Sequence, residues 1–359
     1  MSPFAPQNSS STDAAGNDIT RKLAHYIVSA QSADLSAPVR KEAARTLLNW
    51  VGCTVGGSRH ETVGIAVSAL APFSGPSQAS ILGRRERFDI MNAALINGIS
   101  SHVLDFDDTH TRNIVHPAGP VISAILALSE HRPVSGRDFV TALVVGVDVE
   151  CRIGNAVYPK HYDVGWHITG TAGVFGAAAA SGRLLGLSEQ QMLWAIGLAA
   201  TQPVGLQEMF GSMTKSFHPG RAAQNGLTAA ILASKGFTSS EQSLEAKYGW
   251  VNAVSTGHAN PPERVLNQVA GDFRVVLIEI RQEVEKPALQ SLFFQKGNRM
   301  GIVQRPRLKH IGEMILLRTM EPGRCRRVVN PWVIRAGMVR YFVLNYFDAG
   351  FVRGGDQLL

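Results

Sequence analysis

Three short stretches of this sequence concentrate side chains that move protons or hold anions. The first is Asp105-Phe-Asp-Asp-Thr109-His110 with His116-Pro117 just behind it. It puts three carboxylates, a hydroxyl and two histidines within twelve positions, between strongly apolar flanks. Such a cluster has three readings. Asp and Thr are common helix caps, where a side-chain oxygen accepts a backbone N–H. Asp and His are also ligands for hard and borderline metals, although no further ligand set accompanies them and no metal is expected. Third, they are the residue types of acid–base catalysis.

The second stretch is Gly165-Trp-His167-Ile-Thr169-Gly-Thr171-Ala-Gly173, a histidine at a glycine-flanked helix start. A lone histidine there is often a satisfied core residue, but helix N-termini also bind anions through unpaired N–H groups. The third is Gly211-Ser-Met-Thr-Lys215-Ser-Phe-His218-Pro-Gly-Arg221, with a lysine, a histidine and an arginine within seven residues. A solvated loop is the plain reading. Taken together, His116, His167, Lys215, His218 and Arg221 are five cations expected at loop–helix junctions. That set suits a polycarboxylate, with cationic donors for its carboxylates and His or Lys for proton transfer.

Helices must position these groups. The segment from Pro38 to Trp50 follows Ser36 as a prospective N-cap and is stopped by Gly56-Gly57. Further helices are expected over Phe88 to Ile99, Ala118 to Glu130, from a cap at Ser135 to about Tyr158, His167 to Leu185, Ser188 to Thr201 and Pro219 to Lys235. Runs such as Gly173-Val-Phe-Gly-Ala-Ala-Ala-Ala-Ser-Gly182 let backbones approach closely, so these helices should pack on several faces. Nothing before residue 260 alternates strongly enough to predict a strand. The expected fold class is mainly α.

Composition narrows the function. With 45% hydrophobic and 18% charged residues over 359 positions, the chain can bury a large core. No run is apolar enough for a membrane span. Cys53, Cys151 and Cys325 are too few and too scattered for a disulfide framework or a cysteine zinc site. The first 17 residues are Ser-, Ala- and Asn-rich, without the pattern of a signal or transit peptide, so a cytoplasmic location is expected. The net charge of +7 does not point to nucleic acid. Residues 1–273 carry a net −1 and residues 274–359 a net +8, interspersed with aliphatic residues and with no accompanying nucleic-acid motif. This shift in charge and periodicity near residue 273 divides the chain into an N-terminal segment, 1–17, a helical domain, 18–272, and a divergent basic tail, 273–359.

The run His102-Val-Leu-Asp-Phe-Asp-Asp-Thr-His110 with His116-Pro117, then Gly165-Trp-His-Ile-Thr-Gly170, then Met213-Thr-Lys-Ser-Phe-His-Pro-Gly-Arg-Ala-Ala223, resembles the MmgE/PrpD family. That family includes 2-methylcitrate dehydratases and cis-aconitate decarboxylases. The resemblance covers roughly residues 18–272. It implies a large all-helical domain, a smaller α+β lid domain, a homodimer, and catalysis without metal or organic cofactor. Carried over by motif, Asp105 and Thr109 resemble the family's active-site acid and hydroxyl. His116 resembles its loop histidine, His167 the histidine of the Trp-His element, and Lys215 the lysine before His-Pro-Gly-Arg.

The first motif is closer to the decarboxylase-like branch. The expectation is therefore a lyase taking CO₂ from cis-aconitate or an alkyl-substituted analogue, in fungal secondary metabolism of alkylcitrate-derived maleic anhydrides. Dehydration of 2-methylcitrate or an alkylcitrate is the alternative reaction, and an inactive chain serving as a dimerisation partner is the alternative of another class. Asp105, Thr109, His116, His167 and Lys215 are the expected catalytic set, with His218, Arg221 and Lys286 binding substrate. The sequence departs from the family after residue 273. A Lys-Pro element is present at Lys286-Pro287, but no Cys-Gly pair follows, and the lid is expected to be missing or replaced.

Overall fold

Eleven helices follow one another through residues 18–255, the part of the chain described by the computed structural model. In order they are α1 (Ile19–Ser29), α2 (Ala37–Gly57), α3 (Glu61–Leu70), α4 (Ile90–His102), α5 (Ala118–His131), α6 (Gly136–Val157), α7 (Lys160–Asp163), α8 (Ile168–Leu185), α9 (Glu189–Ala200), α10 (Thr214–Ser234) and α11 (Trp250–Val254). Between α3 and α4 lies an antiparallel pair of two-residue strands, β1 (Ala79–Ser80) and β2 (Arg87–Phe88), with Ala79 opposite Phe88. The mainly-α class holds for the described residues. None of their helices is long and apolar enough to cross a membrane.

Local chemistry sets the helix ends. Asp89 Oδ1 accepts from the N–H groups of Met91 and Asn92, both at 3.0 Å, and so opens α4 two residues later than the apolar pattern predicts. Ser135 Oγ accepts from Asp138 N at 3.1 Å to start α6, as expected. Ser188 and Gln191 form a reciprocal capping box at α9. At the end of α8, Gly186 takes φ +71°, a left-handed conformation that costs glycine nothing.

The start of α10 differs from expectation. A proline is best tolerated in the first turn, which suggests that the helix begins at Pro219. It begins at Thr214 instead, and Pro219 lies inside it. Ser216 Oγ donates to Met213 O at 2.8 Å in the opening turn, while the proline ring packs against Gly119 of α5. Lys215 therefore sits in the first turn of α10, and His218 and Arg221 sit in the helix proper rather than in a loop. Helices α1, α3, α7 and α11, and the β pair, carry no sequence signal singled out above.

The core forms two apolar groups, one around α4 and α5 with Trp50, Ile96 and Phe139, the other around α8 with Ile168, Phe175 and Trp250. Every residue of α8 from Ile168 to Gly182 is buried, as befits a helix packed on all sides. Its neighbours α5, α6, α9 and α10 surround it, and α10 also lies along α4. At that crossing Gly98 faces Gly220 so closely that a Cβ on Gly98 would overlap the Gly220 Cα. The small residues thus do what their abundance predicts: they bring the helix bearing Lys215 against the helix that ends at His102. The segment 1–17, the boundary at 272/273 and the tail 273–359 lie outside the described residues.

Candidate active site

The connection between α4 and α5, residues 103–117, is pinned to α5, α6 and α8, among other ties. Asn113 Nδ2 donates to Cys151 O of α6 at 2.9 Å, His116 N donates to Thr169 Oγ1 of α8 at 3.1 Å, and Asp108 Oδ1 accepts from Ala118 N at 3.1 Å. The last of these satisfies the first N–H of α5 from ten residues away, while Pro117 holds the N-cap position itself. Asp105 adopts φ +58°, which Asp tolerates better than most residues, and its carboxylate is directed to α10. There Lys215 Nζ donates to Asp105 Oδ1 at 2.6 Å across 110 positions of sequence.

Asp107 points the other way, into the protein, with its side chain fully buried. His102 Nδ1 donates to its Oδ2 at 2.7 Å, and His116 Nδ1 stands 3.5 Å from its Oδ1 and 3.3 Å from Thr109 Oγ1. Burial disfavours the charged carboxylate, yet the two imidazoles outweigh it and hold Asp107 far below the usual carboxylate range. The same exchange works on His116: burial lowers its pKa, but Asp107, followed by Asp105, carries it above the usual value. For Asp105 burial is likewise outweighed, chiefly by the Lys215 hydrogen bond, and the group stays ionised.

His167 caps the start of α8, and its Nδ1 lies 2.8 Å from Nδ1 of His218. One of those nitrogens must donate and the other accept. Burial, then His102 and His218, pushes His167 well below the imidazole range, and burial with His102 and Lys215 takes His218 down to about 4. Both rings are neutral near pH 7. This corrects the expectation of five cations: burial holds His167 and His218 neutral, whereas Asp107 raises His116 and Lys215 sits against Asp105. Phe210 closes one side, 5.0 Å edge-on from His167 and 5.5 Å from the Lys215 ammonium.

The structure thus gathers Asp105, Thr109, His116, His167, Lys215 and His218 into one cluster. Arg221 is not brought to it. Its guanidinium donates to Gln224 Oε1 at 2.5 Å and lies 5.1 Å from the Phe217 ring centre. Lys286 lies outside the described residues. Two members carried no assigned role in the sequence, His102 and Asp107. Their five-residue spacing across the end of α4 was the available signal. Behind them Asp108 and Glu150 are a further buried acidic pair. Burial and then Asp107 raise Asp108 to about 7, and burial with Asp108 raises Glu150 well above the carboxylate range.

One ligand atom from each of His102, Asp105, Asp107 and His116 lies within 4.8 Å of the others, a set with the chemistry to hold a metal ion. Its carboxylates already bind the Lys215 ammonium and the His102 ring N–H, which a cation would have to displace. A hollow of about 460 Å³ lies beside the other face of the same loop, lined by Leu104, Phe106, Leu48 and Cys53 among others. It holds none of the cluster's groups, and burial, then Asp107 and Asp108, pushes its Cys53 thiol up to about 12, too high for a thiolate nucleophile.

The sequence relationships fit this arrangement. A cis-aconitate decarboxylase-like protein, oryM, of Aspergillus oryzae is 31% identical over 256 residues, 68% of this chain and 53% of its own length. The cis-aconitate decarboxylase of Aspergillus terreus is 30% identical over 266 residues, 72% of this chain and 54% of its own. The human cis-aconitate decarboxylase is 29% identical over 262 residues, covering 70% and 53%. The chain spans about half the length of the curated relatives it matches. The family model of the MmgE/PrpD N-terminal domain matches residues 21–263, a stretch that contains every residue of the cluster, and the chain belongs to the MmgE/PrpD family.

Proposed function

We propose that this chain is a carbon–carbon lyase of the cis-aconitate decarboxylase type, taking CO₂ from cis-aconitate or an alkyl-substituted analogue. The observation that carries the reading is the pairing of a positioned ammonium, Lys215 held by Asp105, with His116, an imidazole that Asp107 makes more basic, in one cluster with His167. The names of the relatives support the substrate class.

In the proposed reaction the C–C bond to the departing carboxylate breaks, and its electron pair passes into the conjugated carboxylate as a dienolate. CO₂ leaves. Lys215 clamps a retained carboxylate and offsets the developing negative charge, which is the interaction that strengthens towards the transition state. His116 then gives its proton to carbon. Neutral His167, bound to His218, serves as a hydrogen-bond donor to substrate, and Asp105 and Thr109 orient Lys215 and His116. A polyanion needs more positive charge than this cluster supplies, a role proposed for Lys286. The reading also includes a cytoplasmic homodimer, to be tested by light scattering and cell fractionation, and a place in secondary metabolism of alkylated maleic anhydrides.

Purified full-length protein incubated with cis-aconitate, an alkyl-aconitate and 2-methylcitrate tests this. CO₂ release from either aconitate is the expected result. Water loss from 2-methylcitrate would replace the decarboxylase with a dehydratase. No reaction with any of them would leave an inactive interaction partner.

A further inference from the structure

We propose that Asp107 is a positioning residue: one buried carboxylate receives the Nδ1 protons of His102 and His116 together, leaving His116 Nε2 as the atom that hands over the proton. The inference rests on the reading of His116 as the proton donor and assigns the group that makes it one.

Three observations support it. The Asp107 carboxylate is fully buried with imidazole nitrogens at 2.7 and 3.5 Å, which keep it ionised, so a nitrogen in contact with it must present a hydrogen. His102 Nδ1, at 2.7 Å, therefore donates, and because His102 is the last residue of α4 this bond fixes the carboxylate to the helical frame. The other oxygen, Oδ1, makes no short hydrogen bond among the described residues, and His116 Nδ1 is 3.5 Å from it. His116 Nδ1 also stands 3.3 Å from Thr109 Oγ1. These lengths suit one N–H divided between two acceptors, and catalytic hydrogen bonds commonly tighten only once substrate is bound.

The ring of His116 is further fixed by His102, edge-on at 4.7 Å. The charged and titratable groups around it are Asp105, Asp107, Asp108, His102, Lys215 and neutral His167. Of these, Asp107 is the carboxylate nearest its Nδ1. The arrangement follows a general rule, that a carboxylate on one imidazole nitrogen selects the tautomer and readies the other nitrogen for acid–base work.

Long-range ¹H–¹⁵N correlation spectra of the histidine-labelled full chain read the protonated nitrogen directly. In wild-type protein His102 and His116 should both carry hydrogen on Nδ1, and His116 should titrate above the ordinary imidazole value of about 6.5. In Asp107→Asn the amide group meets one of the two ring N–H groups head-on, and the His116 midpoint should fall. With an aconitate that the wild type turns over, kcat should drop about 10²–10⁴-fold, the range of general acid catalysis, with KM little changed. An Nε2-protonated, Nδ1-bare His116 in wild-type protein overturns the proposal, and so does an unmoved His116 midpoint in the variant. The wild-type spectrum decides the tautomer even where the variant does not fold. A chain that releases no CO₂ or water overturns the proposed function, while the tautomer result still decides the role of Asp107.

Discussion

Lys215 and Asp105 meet at 2.6 Å although one opens α10 and the other sits in a left-handed turn 110 residues earlier. The contact joins the frame of the protein to its acidic loop. It holds the ammonium in one place, where a flexible lysine would otherwise sweep a wide volume.

Substitution of Lys215 by Met keeps the length of the side chain and removes the charge. Affinity for a tricarboxylate should weaken by about 1.5–3 kcal/mol, the scale of a hydrogen bond to a charged group. Circular dichroism and thermal unfolding should be nearly unchanged, because the Asp105 carboxylate stays half-exposed to water. Calorimetric titration with an unreactive tricarboxylate checks both halves, and unchanged affinity would remove Lys215 from the site.

Asp108 makes stability fall as pH rises. Its folded pKa of about 7 lies above the unfolded value near 3.8, so the folded state binds more protons between the two. The contribution is fully present below about pH 4 and is lost towards pH 7. Asp108→Asn keeps an acceptor for the Ala118 N–H and cannot ionise. Relative to wild type it should gain stability from pH 5 to pH 8, by on the order of 1–3 kcal/mol. Urea denaturation at both pH values measures this, and parallel curves for the two proteins would contradict it.

The His167–His218 pair acts in the opposite direction. A group whose folded pKa is lowered favours unfolding as pH falls from the unfolded value towards the folded one, here from about 6.5 to about 4 for His218. His161, lowered by burial to about 4, adds to the same slope. His218→Gln should cost stability at pH 7 but lose less than wild type on going to pH 4.5, by on the order of 2 kcal/mol. Denaturant curves at the two pH values decide the point; an equal acid loss in both proteins would show that His218 is not held neutral.

At the crossing of α4 and α10, Gly98→Ala forces a methyl group into the backbone of Gly220. Overpacking of this kind typically costs about 1–3 kcal/mol. The helices should also move apart, stretching the Lys215–Asp105 contact, so activity should fall further than stability alone explains. Thermal unfolding together with a kcat comparison tests it, and a fully active, equally stable variant would show that the crossing tolerates a side chain.

Much of the helical frame was legible in the sequence because caps and glycines act locally. Ser135, Ser188 and Gly186 each act within a few residues of their own position. Pro219 misled because the local rule places a proline in the first turn, whereas α10 starts five residues before it. In the cluster, the residue types of Asp105, His116, His167 and Lys215 announce acid–base chemistry, but their charge states do not follow from type. His167 and His218 are neutral because both are buried beside His102 and Lys215, and His102 meets Asp107 because α4 ends at His102. Burial and helix-end geometry are properties of the folded chain.

The loop 103–117 supplies Asp105, Asp107, Thr109 and His116, while three of its anchors fall at Asp108, Asn113 and the His116 backbone. Four members of the proposed site and these attachment points are therefore interleaved along fifteen residues. A change at an attachment point therefore reaches the chemistry directly: loosening the backbone at Asn113 would carry Thr109 and His116 with it.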